Sequence, residues 1–351
     1  MKSDPSSDAT PAALGLWSAG RLLARAFAEQ KTCMRSVYAL AHELVRPPAG
    51  SPPEYAIRLG AVPAAFFTAR KNLFSTLFYS TYLALGVARP RRLLYGKLNH
   101  LFRIWVTSAD NLLDDEDKCV LPLDMPGSSR VMREVVVVMA ADRVMRRLLN
   151  EAVADGTLTP RQADALADES LRCLLPSAAQ EASEEGGITV RPAPQHVLDT
   201  IHVLKTGLLF NIPFLGIDFA EEEIDRDRVV RMKQALLAFG GGCQILDDVR
   251  DLARDFVERR HNYVLSVLAH EQPEVLEAWA KREIRPGDRL YFDVLPAALA
   301  AARLGYRRLI EACGVLQQER VLPAGAPLPR MAFSMFTTLD LEDLAHVCSF
   351  I

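Results

Sequence analysis

Apolar residues recur along most of the chain at the spacing of an amphipathic helix, and strand-like alternation is scarce. Breaks rich in proline or glycine, such as residues 46–53 and 155–160, divide this pattern into segments. The predicted helices are Leu14–Val45, Ala61–Leu85, a helix after Pro90, a helix from Ser128 or Ser129 to Asn150, Pro160–Ala182, Gln195–Phe210, Glu221–Arg259, His261–His270, Tyr291–Cys313 and Met331–His346.

This pattern predicts a single all-α domain of about ten to twelve helices over residues 11–351. Residues 1–10 are polar and mixed in charge, and we interpret them as a disordered leader. Gly240, Gly241 and Gly242 fall inside a predicted helix, where each costs roughly 1 kcal/mol relative to alanine. They indicate a local bend, a close approach by a ligand or helix, or a break between two helices.

Acidic residues cluster at two places in this apolar background. The first place holds five acids within residues 110–117, and a helix there would align Asp110, Asp114 and Asp117 along one face, with Asp115 beside them. The second lies within residues 244–255, where Asp247, Asp251 and Asp255 are four residues apart, with Asp248 beside them and Gln244 one turn earlier. Two such stripes on separate helices could face each other across a cavity.

Clustered carboxylates require neutralisation, because two like charges about 4 Å apart repel by roughly 4 kcal/mol at an effective dielectric near 20. Carboxylates without a nearby His or Cys favour hard cations such as Mg²⁺, which proteins usually hold with a few carboxylates and substrate phosphates. We therefore predict a magnesium–diphosphate site. The alternative is two solvated helix faces.

Composition and motif content narrow the functional classes that the chain can belong to. The formal net charge of −3 gives no electrostatic support for a nucleic-acid partner. Six scattered cysteines without CxxC spacing predict reduced thiols in a cytoplasmic protein. We expect no apolar run to be long enough to span a bilayer, and neither HExxH nor a phosphate-binding GxxxxGK[ST] sequence occurs.

A bound diphosphate also requires direct cationic contacts as it leaves. Lys205, followed by Thr206 in the apolar segment 203–210, is the main candidate; a lysine at a helix edge is the alternative. Arg254 and neighbouring arginines could add donors, although helical ion pairs explain them equally well. Trp105, one turn before Asp110, is a candidate wall of an apolar substrate cavity, with a core position as the alternative.

In combination these residues resemble the trans-isoprenyl diphosphate synthase and class I terpene synthase superfamily. Residues 110–114 resemble its DDxxD motif with Asn111 at the second position, and residues 244–251 match its QxxDDxxD motif. Gln180 matches a glutamine on a middle helix, and Lys205-Thr206 match a Lys-Thr pair. The resemblance implies a helical bundle around a central cavity, an allylic prenyl diphosphate substrate, three Mg²⁺ ions with Mn²⁺ as an alternative, and allows a homodimer.

The departures from the family pattern bear on the reaction. Chain-elongating members carry a GGKR-type stretch and an Arg-Arg pair that bind isopentenyl diphosphate. The position equivalent to the Arg-Arg pair reads Cys119-Val120 here. The spacing of Asp247, Asp251 and Asp255 also parallels the second metal motif of class I terpene synthases.

The leading hypothesis from sequence is therefore a class I terpene synthase that ionises and cyclises a prenyl diphosphate. Two alternatives remain: a prenyl diphosphate synthase with a non-standard second substrate site, and a catalytically silent helical partner subunit. Both enzyme hypotheses share the same predicted site. Its predicted metal ligands are Asp110, Asp114, Asp115, Asp247, Asp248, Asp251 and Asp255. Its predicted substrate contacts are Trp105, Gln180, Lys205, Thr206, Gln244 and Arg254.

Overall fold

The computed structural model of this chain describes residues 20–113, 116–125 and 129–347. These residues are almost entirely helical, so the all-α prediction is confirmed. The only strands among them form a two-residue antiparallel pair, β1 (Arg58–Leu59) with β2 (Leu123–Asp124). The predicted leader at 1–10 and the predicted helix start at Leu14 lie outside the described residues.

The helices belong to two compact units. The first unit comprises residues 20–170 with 212–224, and the second comprises 171–211 with 225–347. Whether they form the predicted single domain stays a prediction. The helices of the first unit are α1 (Arg21–Leu44), α2 (Leu73–Ala84), α3 (Arg89–Leu113), α4 (Arg130–Ala154) and α5 (Pro160–Arg172), whose last two residues pass into the second unit.

The second unit contains most of α7 and all of the later helices. Its elements are α6 (Leu175–Glu184), α7 (Pro194–Ala220, whose end returns to the first unit), α8 (Arg226–Arg250), α9 (Leu252–Val257), α10 (Tyr263–Glu271), α11 (Pro273–Trp279), α12 (Leu295–Gln318), α13 (Leu328–Thr338) and α14 (Glu342–Val347). Helix α7 is irregular: two π-helical stretches, Val197–Ile201 and Val203–Gly207, precede a 3₁₀ stretch.

Two predicted helix caps are present. The Ser129 hydroxyl accepts a hydrogen bond from the Met132 amide at 3.4 Å and begins α4. Thr159 and Gln162 form a reciprocal capping box at the start of α5, with bonds of 3.3 and 3.0 Å. The helix predicted to run on to Ala182 is instead two helices, because Pro176 at the start of α6 cannot supply the amide that a continuous helix needs.

The helix predicted from Ala61 begins only at Leu73. Two 3₁₀ turns, Ala64–Phe67 and Arg70–Asn72, occupy the preceding residues. The Asn72 side chain donates to the carbonyls of Phe66 at 2.7 Å and Thr68 at 2.8 Å. These side-chain bonds occupy carbonyls that an α-helix would use, so the segment does not form an α-helix.

The three glycines, Gly240, Gly241 and Gly242, lie inside the continuous helix α8. The alternative that they mark a break between two helices is therefore wrong. A Cβ on Gly242 would lie 2.9 Å from Leu309 and 3.1 Å from the Gly305 carbonyl, both on α12. A Cβ on Gly240 would lie 2.8 Å from Phe210 of α7. Close approach by helices therefore explains these two glycines.

One described helix is long and apolar enough to cross a membrane. Helix α7 spans 27 residues with a mean hydropathy of 1.4 in its most apolar window, 44% of which is buried. The sequence-based expectation that no run reaches this length is therefore wrong for α7. Length and composition are met equally by core helices of soluble proteins, so this is a weak indication of a span.

Candidate active site

The predicted site residues divide between the two units, and each set is described by itself. The first unit contains Trp105 and Asp110, while Asp114 and Asp115 lie outside the described residues. The second unit contains Gln180, Lys205, Thr206, Gln244, Asp247, Asp248, Asp251, Arg254 and Asp255.

In the first motif, Asn111 ties down the loop that follows α3. Its side chain is fully buried, donates to the Lys118 carbonyl at 3.1 Å and accepts from the Lys118 amide at 3.0 Å. Arg130 donates to the Asn111 carbonyl at 2.9 Å. Both ends of the amide are therefore engaged with backbone, which explains an asparagine where the family pattern has an aspartate.

The end of this acidic stretch is not helical. Residues 116–119 form a loop, in which Asp117 pairs with Arg133 at 3.1 Å. The prediction that Asp117 shares a helical face with Asp110 is therefore wrong, because α3 ends at Leu113 and Asp117 lies in a loop whose Lys118 backbone bonds to the Asn111 side chain. Asp110 is partly buried on the last turns of α3.

Trp105 joins α3 to α4. Its Nε1 donates to the Val138 carbonyl at 3.1 Å, and its ring stands edge-on to Phe102 with centroids 5.7 Å apart. The ring is only partly buried, so its role as a substrate wall stays a prediction.

In the second motif, Asp247 and Asp251 flank one cation. Arg250 contacts Asp247 at 2.6 Å and clasps both oxygens of Asp251 at 2.7 and 2.6 Å. The Asp251 amide donates a hydrogen bond to the Asp247 carbonyl, and the Asp255 amide donates one to the Asp251 carbonyl, each at 2.8 Å. These backbone bonds keep the four-residue spacing across the junction of α8 and α9. Desolvation, reinforced by Asp251 and Asp248 against the opposing charge of Arg250, raises the pKa of Asp247 to about 6.

Asp248 is engaged differently. It is 2% exposed, and its Oδ2 lies 2.8 Å from His202 Nε2 and accepts from the Tyr263 amide at 2.6 Å. Its Oδ1 accepts from Gln244 at 3.0 Å. Although burial opposes ionisation, these partners lower the pKa of Asp248. Three donors leave its oxygens little capacity for a metal, so its assignment as a ligand stays a prediction.

Asp255 lies one turn beyond Asp251 and contacts a buried asparagine. Asn262 donates to Asp255 at 2.7 Å and to the Asp248 carbonyl at 2.6 Å. Burial, followed by the charge of Asp248, raises the pKa of Asp255 well above its ordinary value. A carboxyl held in this way gains from an added cation.

Lys205 already has acidic neighbours. Its Nζ lies 3.6 Å from Glu181 and 3.8 Å from Glu184, which is fully buried. Although burial lowers it, the charges of Glu184 and Glu181 raise the pKa of Lys205 overall, so the side chain is a fixed cation. The neighbouring Thr206 hydroxyl donates to Gln244 Oε1.

Gln180 lines a cleft of about 460 Å³. Its Nε2 donates to Glu184, while its Oε1 is buried without a hydrogen-bond partner among the described residues. His261 lines the same cleft, and its amide donates to Glu184 at 2.8 Å. Arg254 pairs with Glu258 at 3.1 Å, and its role as a substrate contact stays a prediction.

The first unit contains a basic group that sequence reasoning missed. The basic cluster, as we name it, consists of Arg35, Lys71 and Arg103. Arg103 donates to Asn72 Oδ1 at 2.9 Å, and burial lowers its pKa. Within the described ranges, no member of the basic cluster has a carboxylate within ion-pair distance.

Aromatic rings hold the basic cluster together. Lys71 lies 5.2 Å from the centroid of Phe66, and Arg35 lies 5.5 Å from that of Phe67. Both rings pack against Tyr38, whose hydroxyl donates to the Val120 carbonyl at 3.1 Å. The loop that lacks the family's arginine pair is thus next to cations supplied from three other parts of the chain.

The donor chemistry of the second motif fits Mg²⁺. Asp247 and Asp251 offer carboxylate oxygens, the ligands that this ion prefers. Within residues 20–113, 116–125 and 129–347, no three His, Cys, Asp or Glu side chains stand in a ready-made metal arrangement. Arg250 contacts both carboxylates in this structure, so a bound ion would compete with it for their oxygens.

Two other site residues escaped sequence reasoning, although each left a signal. His202 precedes Lys205 by three residues, and Glu184 follows Gln180 by four, so both share a helical face with a predicted residue. A histidine or glutamate at such a spacing is common in helices, so the spacing alone does not indicate a site residue.

No family model and no curated protein matches this chain. Among solved structures, it is similar to a decaprenyl diphosphate synthase from Rhodobacter capsulatus (20% identity, 91% of this chain and 98% of that one, TM-score 0.54). It is also similar to a polyprenyl synthase from Roseobacter denitrificans (16%, 91% and 99%, 0.56) and a heptaprenyl diphosphate synthase from Staphylococcus aureus (13%, 89% and 98%, 0.56).

At these identities the similarity shows the fold alone. The chain has the all-α fold of the isoprenyl diphosphate synthases, and the resemblance predicted from its motifs is confirmed at that level.

Proposed function

We propose that the protein is a Mg²⁺-dependent prenyl diphosphate synthase that joins an allylic diphosphate to a second, isopentenyl-type diphosphate. The observation that carries this proposal is the basic cluster: Arg103 is partly buried, no carboxylate of the described residues pairs with it, and an anionic ligand stabilises such an arginine. The solved structures of similar fold, which are named as prenyl diphosphate synthases, support the same choice.

In this proposal the second motif serves the allylic diphosphate. Mg²⁺ bound by Asp247 and Asp251 would supply Lewis-acid stabilisation of the departing diphosphate. Lys205 keeps its proton and contributes a fixed positive charge, and Thr206 is held by Gln244. The C–O bond breaks with its electron pair on the diphosphate, and the cation left behind is then available to the second substrate.

The basic cluster serves the second diphosphate. Arg103 offers guanidinium donors beyond the single bond to Asn72, and Lys71 and Arg35 are exposed over the rings of Phe66 and Phe67. Arginine suits a phosphate group because its fork of donors matches two oxygens at once. This arrangement would replace the arginine pair absent at Cys119-Val120.

A class I terpene synthase is the second candidate. The retained four-residue spacing of Asp247, Asp251 and Asp255 favours it, as does the absence of the arginine pair. It predicts a hydrocarbon or alcohol product from the allylic diphosphate alone.

The test is turnover of purified protein with Mg²⁺ and allylic diphosphates of increasing length, with and without isopentenyl diphosphate. A longer diphosphate that forms only when isopentenyl diphosphate is present supports the proposal. A cyclic product without it supports the terpene synthase, and no turnover with any substrate favours the silent partner subunit.

A substitution at the basic cluster makes the test specific. Arg103→Met keeps the aliphatic stem and removes the charge, so we expect the KM for isopentenyl diphosphate to rise by roughly 10- to 100-fold, the equivalent of one or two charge-assisted hydrogen bonds. Arg147→Met, at an exposed ion pair on α4, is the matched control and should leave it unchanged. Equal KM values in the two variants would refute a diphosphate site at the basic cluster.

A further inference from the structure

We propose that His202 is a positioning residue that holds the second aspartate-rich motif in register with the Lys205-Thr206 turn, and that Asp248 serves this purpose rather than binding metal. The inference rests on the proposed function for its readout. Its basis is a continuous chain of contacts inside the second unit.

The chain begins with a buried pair. His202 on α7 and Asp248 on α8 are each 2% exposed, and Nε2 lies 2.8 Å from Oδ2. His202 Nδ1 is buried and has no hydrogen-bond partner among the described residues. The pairing therefore assigns the donated proton to Nε2, since a proton on Nδ1 as well would leave a buried donor unsatisfied.

Asp248 passes the constraint along α8. Its other oxygen accepts from Gln244 Nε2 at 3.0 Å, and this bond fixes the orientation of the amide. Gln244 Oε1 must then face the opposite way, where it accepts the hydroxyl proton of Thr206. The contacts thus return to α7 one turn after His202.

The closed circuit explains an irregularity of α7. His202 lies between two π-helical stretches, and such bulges are common where a helix is adapted to a functional site. His202 and Thr206 both meet α8 in this geometry, and Lys205 is thereby held beside Glu181 and Glu184.

The same circuit distinguishes the two adjacent aspartates. Asp247 has 31% of its side chain exposed and contacts the partly exposed guanidinium of Arg250, whereas Asp248 is buried among three donors. An ion approaching from solvent therefore meets Asp247, and Asp248 acts through the groups that it holds.

Two amide substitutions test this role. The His202→Gln amide can reach the position of Nε2 and keep the bond to Asp248, whereas the His202→Asn amide is shorter by one methylene and cannot. The affinity for inorganic diphosphate in the presence of Mg²⁺, measured by titration calorimetry, should stay within about 3-fold of wild type for the first and fall at least 10-fold for the second. His270→Gln, at an exposed histidine bonded to its own helix, is the control.

The outcomes separate the two hypotheses. If wild type does not bind Mg²⁺–diphosphate, the proposed function fails. If wild type binds and both His202 variants, shown to be folded by thermal unfolding, bind alike, the positioning role of His202 is overturned.

If His202→Asn does not fold, Asp248→Asn and Asp247→Asn carry the test. A weaker effect of Asp248→Asn on the Mg²⁺ concentration for half-maximal binding supports the inference, and an equal or stronger one overturns it.

Discussion

Asn111→Asp restores the aspartate that the family motif has at this position, and we expect it to destabilise the protein. The substitution exchanges the Nδ2 donor for a carboxylate oxygen 3.1 Å from the Lys118 carbonyl, in a fully buried place. Two acceptors then face each other. The side chain must either stay charged and lose this bond or take up a proton to keep it.

The loss of stability is set by whichever of these two states, the charged side chain without its hydrogen bond or the protonated one with it, has the lower free energy. A buried carbonyl left without its donor costs about 1–3 kcal/mol, to which the burial of a charge adds. Keeping a proton at pH 7 on a carboxyl whose ordinary pKa is near 3.9 costs about 4 kcal/mol, at about 1.4 kcal/mol per pKa unit. The guanidinium of Arg130 offsets part of either cost. We therefore expect a loss of about 2–4 kcal/mol in the free energy of unfolding at pH 7.

Urea denaturation of the full chain, followed by far-ultraviolet circular dichroism, measures this loss. Because the folded state raises the pKa of the introduced carboxyl, the deficit should be largest at neutral pH and shrink as the pH falls towards about 4. Asn150→Asp, on the exposed face of α4, is the matched control and should change stability by less than about 0.5 kcal/mol. An Asn111→Asp variant as stable as wild type, with a higher Mg²⁺ affinity, would refute this reasoning and make position 111 a ligand position.

Two further predictions concern stability. Glu29 accepts hydrogen bonds from Arg92, Tyr79 and Arg25, and despite burial these bonds lower its pKa from 4.5 to about 2. The stabilisation that they give is present above pH 4.5 and is lost as the pH falls from about 4.5 to about 2. Acid unfolding of Glu29→Gln should lack this loss, and an acid-unfolding profile equal to that of wild type would count against the prediction. Gly242→Ala should lower the free energy of unfolding by about 1–3 kcal/mol, because its Cβ would lie 2.9 Å from Leu309. The Cβ of Gly241→Ala would meet only Arg308 at 3.4 Å, so this variant should be neutral or more stable by up to about 1 kcal/mol. Equal melting temperatures for the two variants would contradict close helix packing at Gly242.

The fold was predictable because it depends on periodicity over long segments. Helices such as α4 and α5 carry both the apolar repeat and a capping residue, Ser129 or Thr159, that marks where the helix begins. The segment before Leu73 has an equally apolar composition, but Asn72 bonds to the carbonyls behind it. A side chain that competes with the helix in this way is not visible as periodicity.

The candidate site was predictable only where chemistry repeats at a fixed spacing. Asp247, Asp251 and Asp255 reveal themselves by a four-residue interval that the structure retains. The basic cluster has no such interval, because its members come from three segments that meet only after folding. A sequence displays neighbours along the chain, and a site assembled from distant segments leaves no local pattern.

The distribution of compensated charge makes the basic cluster, rather than Lys205, the stronger indication of a diphosphate. Lys205 already lies 3.6 and 3.8 Å from two carboxylates, so an arriving anion there competes with Glu181 and Glu184 unless Mg²⁺ accompanies it. Among the described residues, the hydrogen-bond partner of Arg103 is a neutral amide oxygen, so an anion there relieves a desolvated charge. Diphosphate without metal should therefore protect the wild-type protein against thermal unfolding more than it protects Arg103→Met, whereas removal of the Lys205 charge should matter only when Mg²⁺ is added. Equal protection of wild type and Arg103→Met in the absence of metal would contradict this assignment of the uncompensated charge.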